Sequence, residues 1–446
     1  MKRTRRTGSR CSWCIRWTGS KRNTCIPAVQ RRIFGPTDRL GEQLKATPLI
    51  PNNDDLPTSP GSNEVARASS WMGALGFVTA YGEGSIAGPV SQAPVGLNGS
   101  TTNRFRLLRG EGVVSLGNTA ISFGQAEMWW GTGYFSSLSQ GDNAQTFPAL
   151  RVQNVHPSHL PLFLRYLGPY RFQAYFGQLD HDRKYSRPWL SGQMVSFKPL
   201  PSLEFGLFHS VMFGGRFNDN YGWSGLIGRA TGLSTGSGAQ GNTNSQAGLY
   251  GRFILTGFRN ISLYQEVNGE DNLTLEVPKI GRLLPFAAPS LKGGIDIPRL
   301  TADGRTTAHF EYSLLSQRYS FHSDSLYWTY KDRLMGDPIG PNGTSYEFQI
   351  GRWFHDTRKV NLDVFLTARD PELVVPHRNT ETSEGFAIET FQSPNPIPGI
   401  NSLGELRALA AFEWVHDLNT IPGNNSFRVA VQLTGAINPH FSFAWH

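Results

Sequence analysis

The chain has 446 residues, of which 39% are hydrophobic and 12% aromatic, with 49 glycines and a formal net charge of +8. It contains no run of about 18 apolar residues, which excludes a membrane-crossing helix. A transmembrane β-strand needs only about 9–11 residues of alternating polarity, so this composition remains compatible with a membrane β-barrel.

The positive charge is concentrated at the N-terminus. Residues 1–45 carry twelve Lys and Arg against two acidic residues, so the rest of the chain is slightly acidic. This basic segment shows no pattern of a fold that could present its charge to nucleic acid. We therefore expect no nucleic-acid partner. All three cysteines, Cys11, Cys14 and Cys25, lie in the same region. A zinc site needs about four ligands, and neither a fourth cysteine nor a histidine is near, so we expect no metal and no cofactor.

The chain divides at about residue 70. Residues 1–69 are interpreted as a basic, disordered arm and a linker rich in Pro, Asn, Asp and Ser, and residues 70–446 as the folded domain. The arm lacks the apolar stretch of about 7–15 residues that defines a secretory signal. Because a barrel protein must be exported, we expect a misassigned start or first residues read in a wrong frame. Mass spectrometry of the mature N-terminus tests this, and an intact Met1 on the exported protein would contradict it.

Short segments of alternating polarity follow the linker, with the period of a β-strand that has one apolar and one polar face. In one of them Glu311 is predicted to lie on the polar face. The clearest segments are 171–177, 307–314, 361–367 and 427–434.

Tight turns alternate with long polar loops. Long loops are predicted at about 131–148, 178–189, 213–246 and 268–289, and tight turns at 168–169, 199–201 and 301–304. Transmembrane barrels have short periplasmic turns and long external loops, whereas a sandwich spreads its loop lengths over both ends. The sequence therefore predicts an all-β fold, a closed antiparallel transmembrane β-barrel of about 16–18 strands with long folded extracellular loops and both termini in the periplasm. A soluble sandwich or propeller is the alternative.

An ordered set of short motifs lies between residues 123 and 152. The motifs are Trp129-Trp130-Gly131-x-Gly133, Ser136-Ser137-Leu138-Ser139, Asn143-Ala144 and Pro148-x-Leu150, followed by segments at 263–271, 309–313 and 330–343. Their order resembles the Wzi-type capsule assembly proteins over about residues 105–353. The resemblance implies an outer-membrane barrel of eighteen strands, occluded by folded external loops, that binds capsular polysaccharide like a lectin. Thr132 stands where that family usually has proline, and its N-terminal helical bundle has no clear counterpart here.

Candidate polysaccharide-binding residues lie in two predicted external loops. In the first loop, aromatic rings would stack on sugar rings while polar side chains form directional hydrogen bonds. Alternatively, Trp129 and Trp130 end a strand spanning 119–130, so that one faces lipid and the other packs under a loop, and the polar side chains cap the loop through Asx turns. In the second loop, cations would pair with anionic sugars such as uronates, or be solvated near lipopolysaccharide head groups. The candidates are Trp129, Trp130, Tyr134, Asp142 and Asn143 in the first loop and Arg183, Lys184, Arg187 and Trp189 in the second.

Acidic residues raise two further hypotheses. Glu266, Glu270, Asp271 and Glu311 are carboxylates of the kind that glycosidases use in pairs, but the sequence gives no separation between them. The group at 266–276 lacks the spacing of a calcium loop. Because no nucleophile elbow or phosphate-binding glycine loop occurs, the chain is predicted not to be an enzyme.

The expected function is non-covalent binding of capsular polysaccharide or exopolysaccharide at the bacterial outer membrane. Membrane lipid and lipopolysaccharide are expected to surround the barrel. A general diffusion porin is the first alternative, and a surface glycan hydrolase is the second.

Overall fold

A computed structural model of the chain describes most of residues 61–369 and shorter segments outside that range, and the statements below refer to these residues. The described residues are 22–24, 28–34, 61–87, 105–181, 185–216, 243–270, 276–277, 281–282, 290–316, 319, 328–331, 333–340, 343–355, 358–369, 374–378, 386–390, 405–418 and 425–437.

Strands make up almost all of the regular structure, and we number them in chain order. The first thirteen are β1 Arg22–Thr24, β2 Ala28–Phe34, β3 Gly61–Ala74, β4 Val78–Ala87, β5 Phe105–Leu116, β6 Thr119–Gln125, β7 Pro148–Asn154, β8 Ser158–His159, β9 Pro169–Gln178, β10 Trp189–Leu200, β11 Leu203–Phe213, β12 Thr243–Leu255 and β13 Ile261–Glu270. The others are β14 Glu276–Val277, β15 Gly281–Arg282, β16 Ser290–Ile297, β17 Thr306–Leu314, β18 Thr329–Tyr330, β19 Arg333–Leu334, β20 Gly343–His355, β21 Arg358–Arg369, β22 Val374–Arg378, β23 Phe386–Thr390, β24 Glu405–Leu418 and β25 Asn425–Ile437. A 3-10 helix, Leu162–Leu167, lies between β8 and β9, and no described helix is long and apolar enough to cross a membrane.

The long strands form one antiparallel meander, as predicted. Each pairs with the next long strand along the chain, in the order β3, β4, β5, β6, β7, β9, β10, β11, β12, β13, β16, β17, β20, β21, β24 and β25. Three short hairpins, β14–β15, β18–β19 and β22–β23, lie within the long connections.

Successive connections of the meander lie at alternating ends of the sheet. They are short at one end, except for residues 155–168 between β7 and β9, which include β8 and the 3-10 helix, and they are long at the other end. We call this the long-loop end and the opposite one the short-turn end. Four long connections lie close to their predicted places, at 126–147, 179–188, 214–242 and 271–289. The connection 315–342 between β17 and β20 is equally long and was missed by the sequence patterns.

Two predicted boundaries differ from the structure. The sheet begins upstream of residue 70, since β3 starts at Gly61 and pairs with β1 and β2. The strand expected to span 119–130 ends at Gln125. Beyond Gln125 the chain leaves the sheet, so strand alternation cannot put Trp129 and Trp130 on opposite faces. The cysteines Cys11, Cys14 and Cys25 lie outside the described residues.

Apolar side chains occupy the outer face of the sheet. On β17, Phe310 and Leu314 are 38% and 40% exposed, while Glu311 and Ser313 between them are fully buried. This inverted pattern is that of a sheet whose outer face meets lipid and whose inner face is polar. It confirms the predicted placement of Glu311 on the polar face. Apolar side chains on the other strands are exposed in the same way, from 37% to 66%: Ile121, Phe123, Leu150, Phe172, Leu207, Phe253, Leu263, Ile295, Phe348, Leu362 and Leu366.

Candidate functional site

The connection between β6 and β7, residues 126–147, folds against the inner face of the sheet, and we call it loop A. Trp130 is completely buried within it. Its indole Nε1–H donates to Gln173 Oε1 at 2.5 Å, and its ring centroid lies 5.0 Å from that of Tyr175. Its backbone N–H donates to Gln140 O at 3.1 Å, which closes the loop on itself. The indole therefore packs the interior and presents no exposed face to a sugar in this conformation.

The carboxylate of Glu266 on β13 holds the glycine-rich part of loop A. It accepts backbone hydrogen bonds from Thr132, from Gly133 at 2.5 Å and from Leu138 at 3.2 Å. Gly131 has a φ of 136°, and a Cβ there would collide with this carboxylate. Glycine is required at residue 131 because the backbone must both adopt a left-handed conformation and approach the carboxylate closely.

A second carboxylate, Glu311 on β17, holds the next turn of loop A. It accepts the backbone N–H of Tyr134 at 2.5 Å and that of Ser136 at 3.3 Å. The hydroxyl of Tyr264 on β13 donates to it at 2.7 Å. Two buried carboxylates thus satisfy five consecutive or near-consecutive backbone amides that the loop would otherwise leave unpaired.

A buried lysine compensates the negative charge of this region. Lys292 Nζ on β16 lies 2.9 Å from Glu311 Oε1 and 2.8 Å from Asp337 Oδ2. It also donates to Ser136 Oγ at 2.5 Å and to Ser313 Oγ at 2.7 Å. Because a buried charge is tolerated only when it is paired and hydrogen-bonded, these contacts specify where loop A sits.

Asp337 belongs to the long connection 315–342, whose described residues we call loop B. Its Oδ2 accepts from Ser136 Oγ at 2.8 Å, so Asp337 joins loop B to loop A. Burial by itself raises the pKa of the Asp337 carboxyl, but the charge and hydrogen bond of Lys292 outweigh burial and hold that pKa below its ordinary value. Loop B is therefore anchored by an ionised aspartate at neutral pH.

The remaining candidates of loop A have different surroundings. Trp129 and Asp142 are partly buried. Asn143 is buried and its Nδ2 donates to Leu334 O of loop B at 2.9 Å. Tyr134 is 44% exposed, its ring stacks on His309 at 3.8 Å between centroids, and its hydroxyl donates to Gln349 at 2.8 Å.

Two of the four candidates in the second predicted loop, Arg187 and Trp189, belong to the described residues. Arg183 and Lys184 lie outside the described residues. Arg187 is exposed, and its backbone N–H donates to Asp180 O at 2.9 Å. Trp189 begins β10 and stacks on Phe176 at 4.9 Å between ring centroids, on the outer face shared with Phe172. An aromatic side chain at the end of a strand and on the outer face is typical of the membrane interface.

Sequence reasoning missed the residues that organise the interior. Glu266 and Glu311 were noticed only as a hypothetical catalytic pair, yet their oxygens are occupied by loop amides and by Lys292. Lys292 and Asp337 were not singled out. The available signal was a lysine in a strand segment of alternating polarity, but the partner in loop B is 45 residues away in sequence. Neither Asp271 nor the side chain of Glu270 is described.

Comparisons with known proteins agree with this architecture. A family model described as capsule assembly protein Wzi matches residues 30–396. A protein from the cps region of Klebsiella pneumoniae is 28% identical over 179 residues, which cover 39% of this chain and about a third, 34%, of that relative's length. The solved structure of Wzi from Escherichia coli, described as a carbohydrate-binding outer-membrane β-barrel involved in group 1 capsule assembly, matches with a TM-score of 0.63 at 17% identity and covers 92% of this chain and 79% of that one. At this identity the likeness establishes the fold, a β-barrel.

Proposed function

This chain belongs to the Wzi family of capsule assembly proteins, and on that premise we propose that it binds capsular polysaccharide or exopolysaccharide non-covalently and helps to attach or assemble it at the cell surface. Its family and its fold make it an outer-membrane protein. We further propose that the sheet closes into a barrel of about 16–18 strands, with the long-loop end outside the cell.

The observation that carries this proposal is the seating of loop A across the interior. Ser136, Ser137, Leu138 and Ser139 are each no more than 1% exposed. A diffusion porin requires a water-filled lumen, whereas an anchoring protein requires a firm external surface. A loop held by two carboxylates and one lysine suits the second role.

Polymer binding of this kind needs no single tight pocket. A repeating polysaccharide contacts several weak sites at once, and the combined affinity exceeds that of each contact. We propose that Arg183, Lys184 and Arg187 contribute contacts of this kind. We propose further that the polymer contacts Tyr134, Asp142 and Trp129 through the exposed parts of their side chains. The outer face contacts lipid and lipopolysaccharide.

We propose that binding involves no bond cleavage. Support comes from Glu266 and Glu311, the carboxylates that suggested a glycosidase, because both accept hydrogen bonds from loop A. A general acid or nucleophile must instead face the glycosidic bond. Incubating the purified protein with capsule and measuring chain length tests this, since shortened chains would establish a hydrolase.

A deletion strain tests the function directly. Cell-bound and shed polysaccharide are measured in the wild type, in the deletion strain and in the strain complemented with the intact gene. We expect the deletion to move polysaccharide from the bound to the shed fraction and complementation to restore it. Unchanged cell-bound polysaccharide would refute the anchoring role, and a large, stable single-channel conductance of the purified protein would favour a porin instead.

A further inference from the structure

A cavity of about 300 Å³ opens at the long-loop end, away from the buried network of Lys292. It lies where the start of β5 and the end of β6 meet loops A and B. Its lining consists of Phe105, Arg106, Leu107, Gln125, Gln145 and Lys331. Small-molecule sites in proteins begin at about this volume, which suits one sugar unit of a polymer.

Lys331 of loop B is held in place at the rim of the cavity. Its backbone N–H donates to Asp180 Oδ2 at 2.6 Å, and its Nζ donates to Gln145 Oε1 at 2.9 Å. Its φ of 49° is left-handed, a conformation that costs free energy for a residue with a side chain. These contacts direct the ammonium group towards loop A, although the side chain is exposed.

The lining combines positive charge with amide groups. Arg106 and Lys331 supply two cations from different parts of the chain, and none of the described lining residues is a carboxylate. Gln145 Nε2 donates to Leu107 O at 3.2 Å, which fixes the orientation of its amide. The side-chain oxygen of Gln125 is buried beside the cavity and has no hydrogen-bond partner among the described residues. Phe105 and Leu107, 63% and 44% exposed, flank the cavity with apolar surface.

We propose that this cavity is a subsite for an acidic sugar, with the sugar carboxylate between Arg106 and Lys331. Gln125 binds a neighbouring hydroxyl group, Gln145 holds the Lys331 ammonium in place, and the flanking apolar side chains contact the C–H face of the ring. This inference rests on the proposed polysaccharide binding and narrows it to polymers that contain uronate or similarly acidic units. The subsite differs from Arg183, Lys184 and Arg187, because its cations belong to β5 and loop B.

The test uses a probe of defined charge. Alginate oligosaccharides consist only of uronate units, and reduction of their carboxylates to alcohols yields neutral chains of the same length. Binding of both forms is measured with the full-length protein in detergent and with Arg106→Gln and Lys331→Gln. We expect each substitution to weaken alginate binding about tenfold, the typical contribution of one charge-assisted hydrogen bond. Added salt should weaken the wild type more than the variants, and the reduced chains should bind weakly to all proteins.

Matched controls remove one positive charge from the opposite end of the barrel. Arg165 lies in the 3-10 helix and Lys198 near the end of β10, and both are exposed at the short-turn end. Arg165→Gln and Lys198→Gln should bind alginate like the wild type. The subsite is refuted if the wild type binds native and reduced chains equally, if it binds neither, or if the controls lose as much affinity as Arg106→Gln and Lys331→Gln.

Retention of capsule on cells separates this inference from the anchoring role. Cells that carry the wild-type protein can retain their capsule while the purified protein fails to bind alginate, and that result would refute only the acidic subsite. A failure of the anchoring role is recognised separately, because only that failure leaves the cell-bound polysaccharide of the deletion strain unchanged. An unchanged heat-induced mobility shift on gels establishes that each variant is folded.

Discussion

The ammonium group of Lys292 lies 2.8 Å from the carboxylate of Asp337, and the two side chains are 0% and 1% exposed. One residue belongs to strand β16 and the other to loop B, so the contact joins a loop to the wall of the barrel. Ser136 of loop A donates to the same carboxylate. This pair therefore contributes to the position of both infolded loops, together with the hydrogen bonds of loop A to Glu266 and Glu311.

Replacing Lys292 should release both loops. Lys292→Met keeps much of the side-chain volume but leaves Glu311 and Asp337 buried without a compensating cation. Breaking a buried ion pair from one side costs about 3–5 kcal/mol. We expect a lower thermal unfolding midpoint on heat-modifiability gels. We also expect a rise in single-channel conductance as loop A detaches from the inner face of the sheet. Lys198→Met, which removes an exposed lysine of β10, is the control and should change neither quantity. Equal stability of Lys292→Met and the wild type would show that the pair is not needed to seat the loops.

Gly131 should not tolerate a side chain. A Cβ at this residue would collide with the Glu266 carboxylate, and the φ of 136° is unfavourable for any other residue. We expect Gly131→Ala to displace the turn of loop A and to expose it to added protease. Gly112→Ala on β5 is the matched control, since nothing lies within 4 Å of a Cβ at that residue. If protease cuts both variants alike, steric exclusion is not what makes Gly131 necessary.

The anchoring of loop B should weaken in acid. The pKa of Asp337 is below its ordinary value in the folded protein, because the charge and hydrogen bond of Lys292 outweigh the effect of burial. A lowered folded-state pKa adds stability above the ordinary aspartate pKa of about 3.9, and this stability is lost as the pH falls through the folded-state value. We expect Asp337→Asn to be less stable than the wild type at pH 7 and the difference to shrink below about pH 4. Thermal unfolding measured from pH 3 to pH 8 checks this, and a difference that grows in acid would contradict it.

Trp130 should act through stability. Trp130→Phe keeps an aromatic ring against Tyr175 but removes the hydrogen bond to Gln173. The expected loss is about 1 kcal/mol of unfolding free energy, because the side-chain oxygen of Gln173 loses its hydrogen bond from the indole. Polysaccharide affinity of the folded variant should equal that of the wild type. Reduced affinity at unchanged stability would instead restore Trp130 as a binding residue.

The fold was largely predictable because its signal is local. Alternation of polarity along segments such as 307–314 determines which residues lie on the outer face and which face inward, and connection length determines which end of the sheet carries most of the long loops. The connection 315–342 escaped notice because its own short hairpin β18–β19 interrupts the polar composition of a loop.

The candidate site was less predictable, since its residues meet only after the loops fold inward. Trp130 and Asn143 have the composition of a sugar-binding loop, yet both are buried. Trp130 packs on Gln173 and Tyr175 and Asn143 donates to Leu334, and these partners are far away in sequence and carry no motif. Likewise, Arg106 and Lys331 become neighbours across one cavity only because loop B crosses to the start of β5.

The sequence by itself determined an antiparallel β-fold with one apolar and one polar face and the family to which the chain belongs, because period-two polarity and the order of short motifs are properties of adjacent residues. Only the tertiary structure decided that the Trp129-Trp130-Gly131 stretch lies inside the barrel. The physical reason is that buried amides and charges must find partners, and for loop A those partners are Glu266, Glu311 and Lys292 on strands that the sequence separates from it by more than a hundred residues.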